Sequence, residues 1–165
     1  MKNDKNISDG HSTLVNNLVS LLEKGNAHVS LDKALQGIPL ASLGVKPAEL
    51  PYTIWQIAEH IRIAQWDLLE FSRNEKHLSP KWPEGYWPKE TAPVSESAWT
   101  HCVSQIKADR VAFADLIKHA GAALYEPFTY GDGQSLLKEA LVLADHNSYH
   151  TGEIVILRRL FNIWP

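Results

Sequence analysis

The chain of 165 residues is predicted to fold as an all-α four-helix bundle with long inter-helix connections. Three observations carry that prediction. Four long stretches place apolar residues three and four positions apart, Pro- and Gly-rich punctuation separates them, and no segment sustains the period-two alternation of a strand. No internal repeat or low-complexity run interrupts the pattern.

The first helix is expected from about Ser8 or Asp9 to Lys24, with Leu14, Leu18, Leu21 and Leu22 as its stripe and Gly25-Asn26 as its stop. A long connection follows, with a short turn of helix around Leu31 to Gln36 and then Pro39, Gly44, Pro47 and Pro51. Thr53 and Gln56 form a capping-box pattern that opens the second helix, which runs to about Arg73. From Ser79 to Pro93 the chain reads as loop, because Pro80, Pro83, Pro88 and Pro93 withhold backbone donors. Ser95 caps a third helix reaching about His119, with Trp99, Cys102, Val103, Ile106, Phe113 and Ile117 on its buried stripe and Gly121 helping to end it. After the turn Tyr130-Gly131-Asp132-Gly133, the fourth helix begins near Ser135 and continues to about Phe161. The domain reading is a flexible N-terminus over 1–11 and one bundle domain over 12–165.

Composition narrows the function classes. A net charge of -3 with 44% hydrophobic residues is an ordinary soluble composition, and no basic run offers a nucleic acid surface. The first ten residues are polar, and nowhere does an apolar run reach the roughly 18 residues of a membrane span. The expected compartment is the cytoplasm, with no membrane partner. A single cysteine, Cys102, excludes an intramolecular disulfide and lies on the apolar stripe of the third helix, where it reads as an inert core thiol.

The most apolar stretch of the chain carries His146 and His150. A helix turns about 100° per residue, so positions four apart point the same way and two imidazoles there can hold one metal ion. Setting His146 at the centre of a helical wheel gathers Glu139, Val142, Leu143, Tyr149, His150, Glu153, Leu157 and Leu160 on its side. Ser148, Thr151, Arg158 and Arg159 fall opposite. The histidines are therefore expected on the buried side, where a polar ring needs a partner. On the second helix His60 shares a face with Thr53, Gln56, Ile57, Ile63, Ala64, Asp67 and Phe71, again a polar centre with apolar flanks. Three neutral imidazoles from two helices leave coordination positions open for water or substrate. Each ring can equally bond a carbonyl or carboxylate in the core.

The segments Trp55-Gln-Ile-Ala-Glu-His60 and Asp145-His146-Asn-Ser-Tyr149-His150-Thr-Gly152-Glu153-Ile154 resemble the DinB-like superfamily of metalloenzymes. The resemblance extends to Trp82-Pro-Glu-Gly-Tyr-Trp-Pro88 and Leu157-Arg-Arg-Leu160, so it covers the chain from Ser12 to Pro165. It implies a four-helix bundle with a divalent metal, often nickel or zinc, bound by three histidines in a pocket at one end. By motif position the ligands are His60, His146 and His150. It also implies a small-molecule substrate, and for some members a low-molecular-weight thiol as cosubstrate in S-transfer or isomerisation, while homodimers occur in the superfamily. Where similar chains often carry Gln after His-x-Gly, this one has Glu153.

Glu153 follows His150 by three residues, so its carboxylate can reach the metal or its water, orient a neighbour, or reach solvent. Tyr149 lies about 60° from His146 on the wheel and either touches substrate or packs in the core with a polar tip. Glu153 and Tyr149 are the candidates for moving a proton. Asp67 and Gln56 can supply hydrogen bonds to an imidazole or merely bond within the bundle. Trp82, Tyr86 and Trp87 wall the pocket mouth or plug exposed core. The second helix also presents Trp55, Ala58, Trp66 and Leu69 on another side, so it is central in its bundle or pressed against another copy; internal packing with some dimer contribution is expected. Two function classes fit: a metal-dependent enzyme of the thiol S-transferase or hydrolase type, or a metal-binding or stress-associated bundle without turnover, in which the ion staples two helices.

Overall fold

The computed structural model describes residues 2–48 and 50–165, which form helices and loops with no strand among them. Four long helices, α1 (Lys2–Lys24), α4 (Ile54–Arg73), α5 (Glu96–His119) and α6 (Leu136–Leu160), make the bundle, and two short ones, α2 (Leu31–Leu35) and α3 (Leu40–Leu43), occupy the first long connection. The expected flexible segment 1–11 begins with Met1, which lies outside the described residues, and its other residues belong to α1, whose start precedes the expected one.

The helix starts are chemical. Thr53 Oγ1 accepts from the Gln56 amide at 3.1 Å while Gln56 Oε1 accepts from the Thr53 amide at 3.2 Å, completing the capping box and satisfying two donors at the start of α4. Ser95 and Ser135 cap α5 and α6 by accepting from Ala98 and Lys138 amides. Gly25, at φ +72°, ends α1 in a conformation that a side chain would disfavour.

Two apolar clusters fill the bundle. One gathers α2, α3, the first halves of α4 and α5, and Ile154, Val155 and Leu157 of α6; the other gathers α1, Leu69, Phe113, Ile117 and the first half of α6. The first halves of α4 and α5 thus share one end, so these helices run parallel and α6 runs against them. A parallel pair needs a connection that travels back along the bundle, which is the work of residues 74–95. That return brings Tyr86 and Trp87 beside His60. It contains a single 3₁₀ turn at Glu84–Tyr86, a local structure that its prolines did not announce.

Between the clusters the interior is polar. Gln65, fully buried, donates to the Ile106 carbonyl and accepts from Asn147 Nδ2 at 3.1 Å, which ties α4 to both α5 and α6. α4 is central: Trp55, Ala58 and Leu69 on its second apolar side are buried inside the chain. Cys102 is buried as expected, and burial first, then the Glu59 carboxylate, pushes its thiol far above the ordinary range.

The wheel of α6 needs correction. Val142, Tyr149 and Leu160, expected on the buried side, are exposed, whereas Thr151 and Arg158, expected opposite, are buried. The buried arc is centred near Asn147, Ile154 and Arg158, because α2 covers a side of α6 that a four-helix picture leaves open. Arg158 tolerates burial by donating to the Ala34 carbonyl at 2.6 Å and the Ile163 carbonyl at 3.1 Å, with Trp164 stacked over its guanidinium. It closes carbonyls at the end of α2 that the helix itself leaves open.

Candidate metal centre

The shifted arc puts His150 inside and His146 at the rim of the buried face, where α6 meets α4. His60, buried on α4, completes the group. The ligand atoms of His60, His146 and His150 all lie within 4.8 Å of one another, and the three rings sit 4.5–4.8 Å apart between centroids. Spacing within α6 aligned two rings, and the antiparallel crossing with α4 supplied the third.

The hydrogen bonds fix which nitrogens face inward. His60 Nδ1 lies 3.0 Å from the Tyr86 carbonyl, which can only accept, so Nδ1 carries the proton and Nε2 keeps its lone pair. His150 Nδ1 donates to Glu153 Oε2 at 2.6 Å, leaving Nε2 free in the same way. His146 Nε2 stands 2.9 Å from His60 Nε2. Two lone pairs at that distance repel, so a proton or a cation belongs between them. Nitrogen ligands about 2.1 Å from one ion and 90–110° apart are separated by roughly 3.0–3.4 Å. Opening that pair to ligand spacing takes a shift of a few tenths of an ångström.

Electrostatics suit the same role. Burial, then the neighbouring His150 and His60, lowers His146 to about 3, and burial followed by His60 lowers His150 to about 4. Burial also lowers His60, against a smaller upward pull from the Tyr86 carbonyl. All three rings are neutral at pH 7, so an entering ion meets no imidazolium charge. Their donor set, borderline imidazole nitrogen, suits the first-row divalent ions.

Around the rings lies a built wall. Trp87 stacks on His60 at 3.9 Å with 2° between planes, and Tyr52 stacks on Trp87 at 3.9 Å, so indole shields one face of the ligand. The Tyr86 hydroxyl donates to Asp67 Oδ2 at 2.6 Å, and His77 Nε2 holds Asp67 Oδ1 at 2.7 Å. Asp67 therefore acts on His60 through the loop that carries the Tyr86 carbonyl, with no direct bond to the ring. Gln56 serves the cap of α4, with a 3.5 Å contact to the Pro88 carbonyl. Trp82, 69% exposed, stands outside the wall formed by Tyr86 and Trp87.

The two candidate proton carriers part company. Glu153 orients His150, and burial pushes its carboxyl up. Tyr149 is 65% exposed with its ring 5.0 Å from that of His150, so it borders the site from the solvent side and does not pack in the core. Sequence reasoning missed two contributors: Tyr52, whose only signal was its neighbourhood to the cap, and the Tyr86 carbonyl, a backbone group that no residue type marks.

This is a helical bundle that gathers three imidazoles from two antiparallel helices, a layout that can hold a metal ion. A family model described as the DinB superfamily matches residues 27–154, which include all three histidines, and the chain belongs to that superfamily. No curated protein matches the chain, and no solved structure does.

Proposed function

We propose that His60, His146 and His150 hold one divalent ion, nickel or zinc as the superfamily resemblance implies, and that the protein is a metal-dependent enzyme acting on a small molecule by thiol transfer or hydrolysis. The observation that carries this reading is the Glu153 hydrogen bond to His150: the carboxylate most able to close the coordination sphere is engaged with the far side of a ligand ring. Three protein ligands with positions left open is the catalytic pattern, whereas an ion that only staples helices has a closed sphere. When bound, such an ion lowers the pKa of a coordinated water or thiol and so supplies a nucleophile near neutral pH.

The chain's own residues do the rest. The Tyr86 carbonyl and Glu153 fix two ring orientations, Trp87 and Tyr52 keep water from one side of His60, and Tyr149 lies at the open side, where its hydroxyl can contact a substrate. The test begins with elemental analysis of untagged protein and of His146→Ala. The expected result is one ion per chain in the parent and none in a variant that keeps its helical circular dichroism. Full metal retention by His146→Ala would remove the ligand assignment. A conjugation assay with alternative cellular thiols then separates transfer from hydrolysis.

A further inference from the structure

Beside the histidines lies a cavity of about 190 Å³ walled by Leu50, Pro51, Ile57, Ile156 and Leu157. Two further lining residues join it to the site. Glu153 borders the cavity while its carboxylate holds His150, and Tyr52 borders it while stacking on the Trp87 that covers His60. Ile57 precedes His60 by three residues on α4, and Ile156 follows Glu153 by three on α6. The cavity thus begins one helical turn, about 5 Å, along the α4–α6 seam from His60 and His150 and extends about a turn further along α6.

From this placement we infer that the cavity receives an uncharged apolar group of the substrate, aromatic or short-chain aliphatic, whose reacting end lies at the three histidines. The inference rests on the metal-site reading and adds the substrate class to it. Three features select that class. The walls are aliphatic, so a polar group entering would lose hydration without gaining partners. Glu153 is the one carboxylate on the lining among the described residues, and it disfavours an anionic group. Size also agrees, since an apolar cavity of about 150 Å³ accepts benzene. Ile156, 53% exposed, forms the rim through which such a group enters. A polar cellular thiol is excluded from this cavity by the same walls, so the apolar partner of a transfer reaction belongs here and the thiol elsewhere around the ion.

Two measurements test the inference. Toluene is titrated into metal-stripped protein and followed by amide NMR, with shifts expected at Ile57, Glu153, Ile156 and Leu157; no binding, or shifts confined elsewhere, overturns the cavity assignment. Acetohydroxamate and hexanohydroxamate are then titrated calorimetrically into nickel- or zinc-loaded protein. Full burial tightens binding about fourfold per methylene, and for a cavity open at its rim at least about tenfold is expected across the four added methylenes. Ile156→Glu, a substitution at an exposed position, should erase that gain and leave acetohydroxamate unchanged. Equal affinities in the parent would overturn the substrate class while leaving the metal site standing. A protein that binds toluene at these residues but retains no metal would instead overturn the metal-site reading, and the substrate class with it.

Discussion

Acidification of the metal-stripped protein from pH 7 to pH 5 should destabilise it through the histidine cluster, and the size of the effect can be worked out. His146 and His150 are lowered to about 3 and about 4 in the fold, against about 6.5 in an unfolded chain. The folded state therefore stays unprotonated at these rings while the unfolded state takes up protons as pH falls through 6.5. Stability is fully present above that value and is lost progressively down to the folded pKa. For one ring the loss between pH 7 and pH 5 is about 1.9 kcal/mol. With allowance for partial solvent screening at the rim of the buried face, the two rings together give about 3 kcal/mol, or a fall in Tm of roughly 6–12 °C for a chain of this size. The carboxyls of Asp109, Glu139 and Glu153 are raised by burial and contribute in the opposite sense, gaining stability as pH falls. A difference measurement removes them. Thermal melts of the parent and of His146→Gln at both pH values should show the variant losing about 2 kcal/mol less. Equal losses in the two proteins would refute the argument that burial keeps His146 neutral.

Glu153→Ala should weaken metal binding about 10- to 100-fold in competition with a chelator while the helical signal is unchanged, because His150 Nδ1 loses the acceptor that orients it; an unchanged affinity would contradict that role. Phe113→Ala empties the centre of the second apolar cluster, where the ring has no exposure, and should cost about 3–5 kcal/mol in urea unfolding without changing metal stoichiometry.

How much was legible depends on the kind of signal. The starts of α4, α5 and α6 were readable at Thr53, Ser95 and Ser135, because a capping side chain bonds within its own turn and needs no distant partner. His60, His146 and His150 were readable as a group because helical spacing and two motifs converged on them. The sides of α6 were not. Arg158 and Thr151 look like solvent residues until α2 and the chain beyond α6 provide carbonyls and cover, and nothing local to α6 encodes that. Tyr149 shows the converse: its place between two histidines suggested the interior, yet one step of about 100° carried it past the rim. Asp67 was read as a candidate partner of His60, but its route to the ring runs through a loop whose path depends on the parallel arrangement of α4 and α5.

The three ligand rings are not held alike, and the difference bears on how the site accepts an ion. His60 is fixed from the loop by the Tyr86 carbonyl and covered by Trp87, and His150 is fixed from its own helix by Glu153. His146 Nδ1, by contrast, is buried without a hydrogen-bond partner. Opening the 2.9 Å gap between His60 Nε2 and His146 Nε2 to the roughly 3.0–3.4 Å of two ligands on one ion requires one ring to move. Moving His60 would break a hydrogen bond and a stacked contact, whereas moving His146 breaks none with its other nitrogen. Of the two rings that face each other across that gap, His146 is therefore the one that moves more readily.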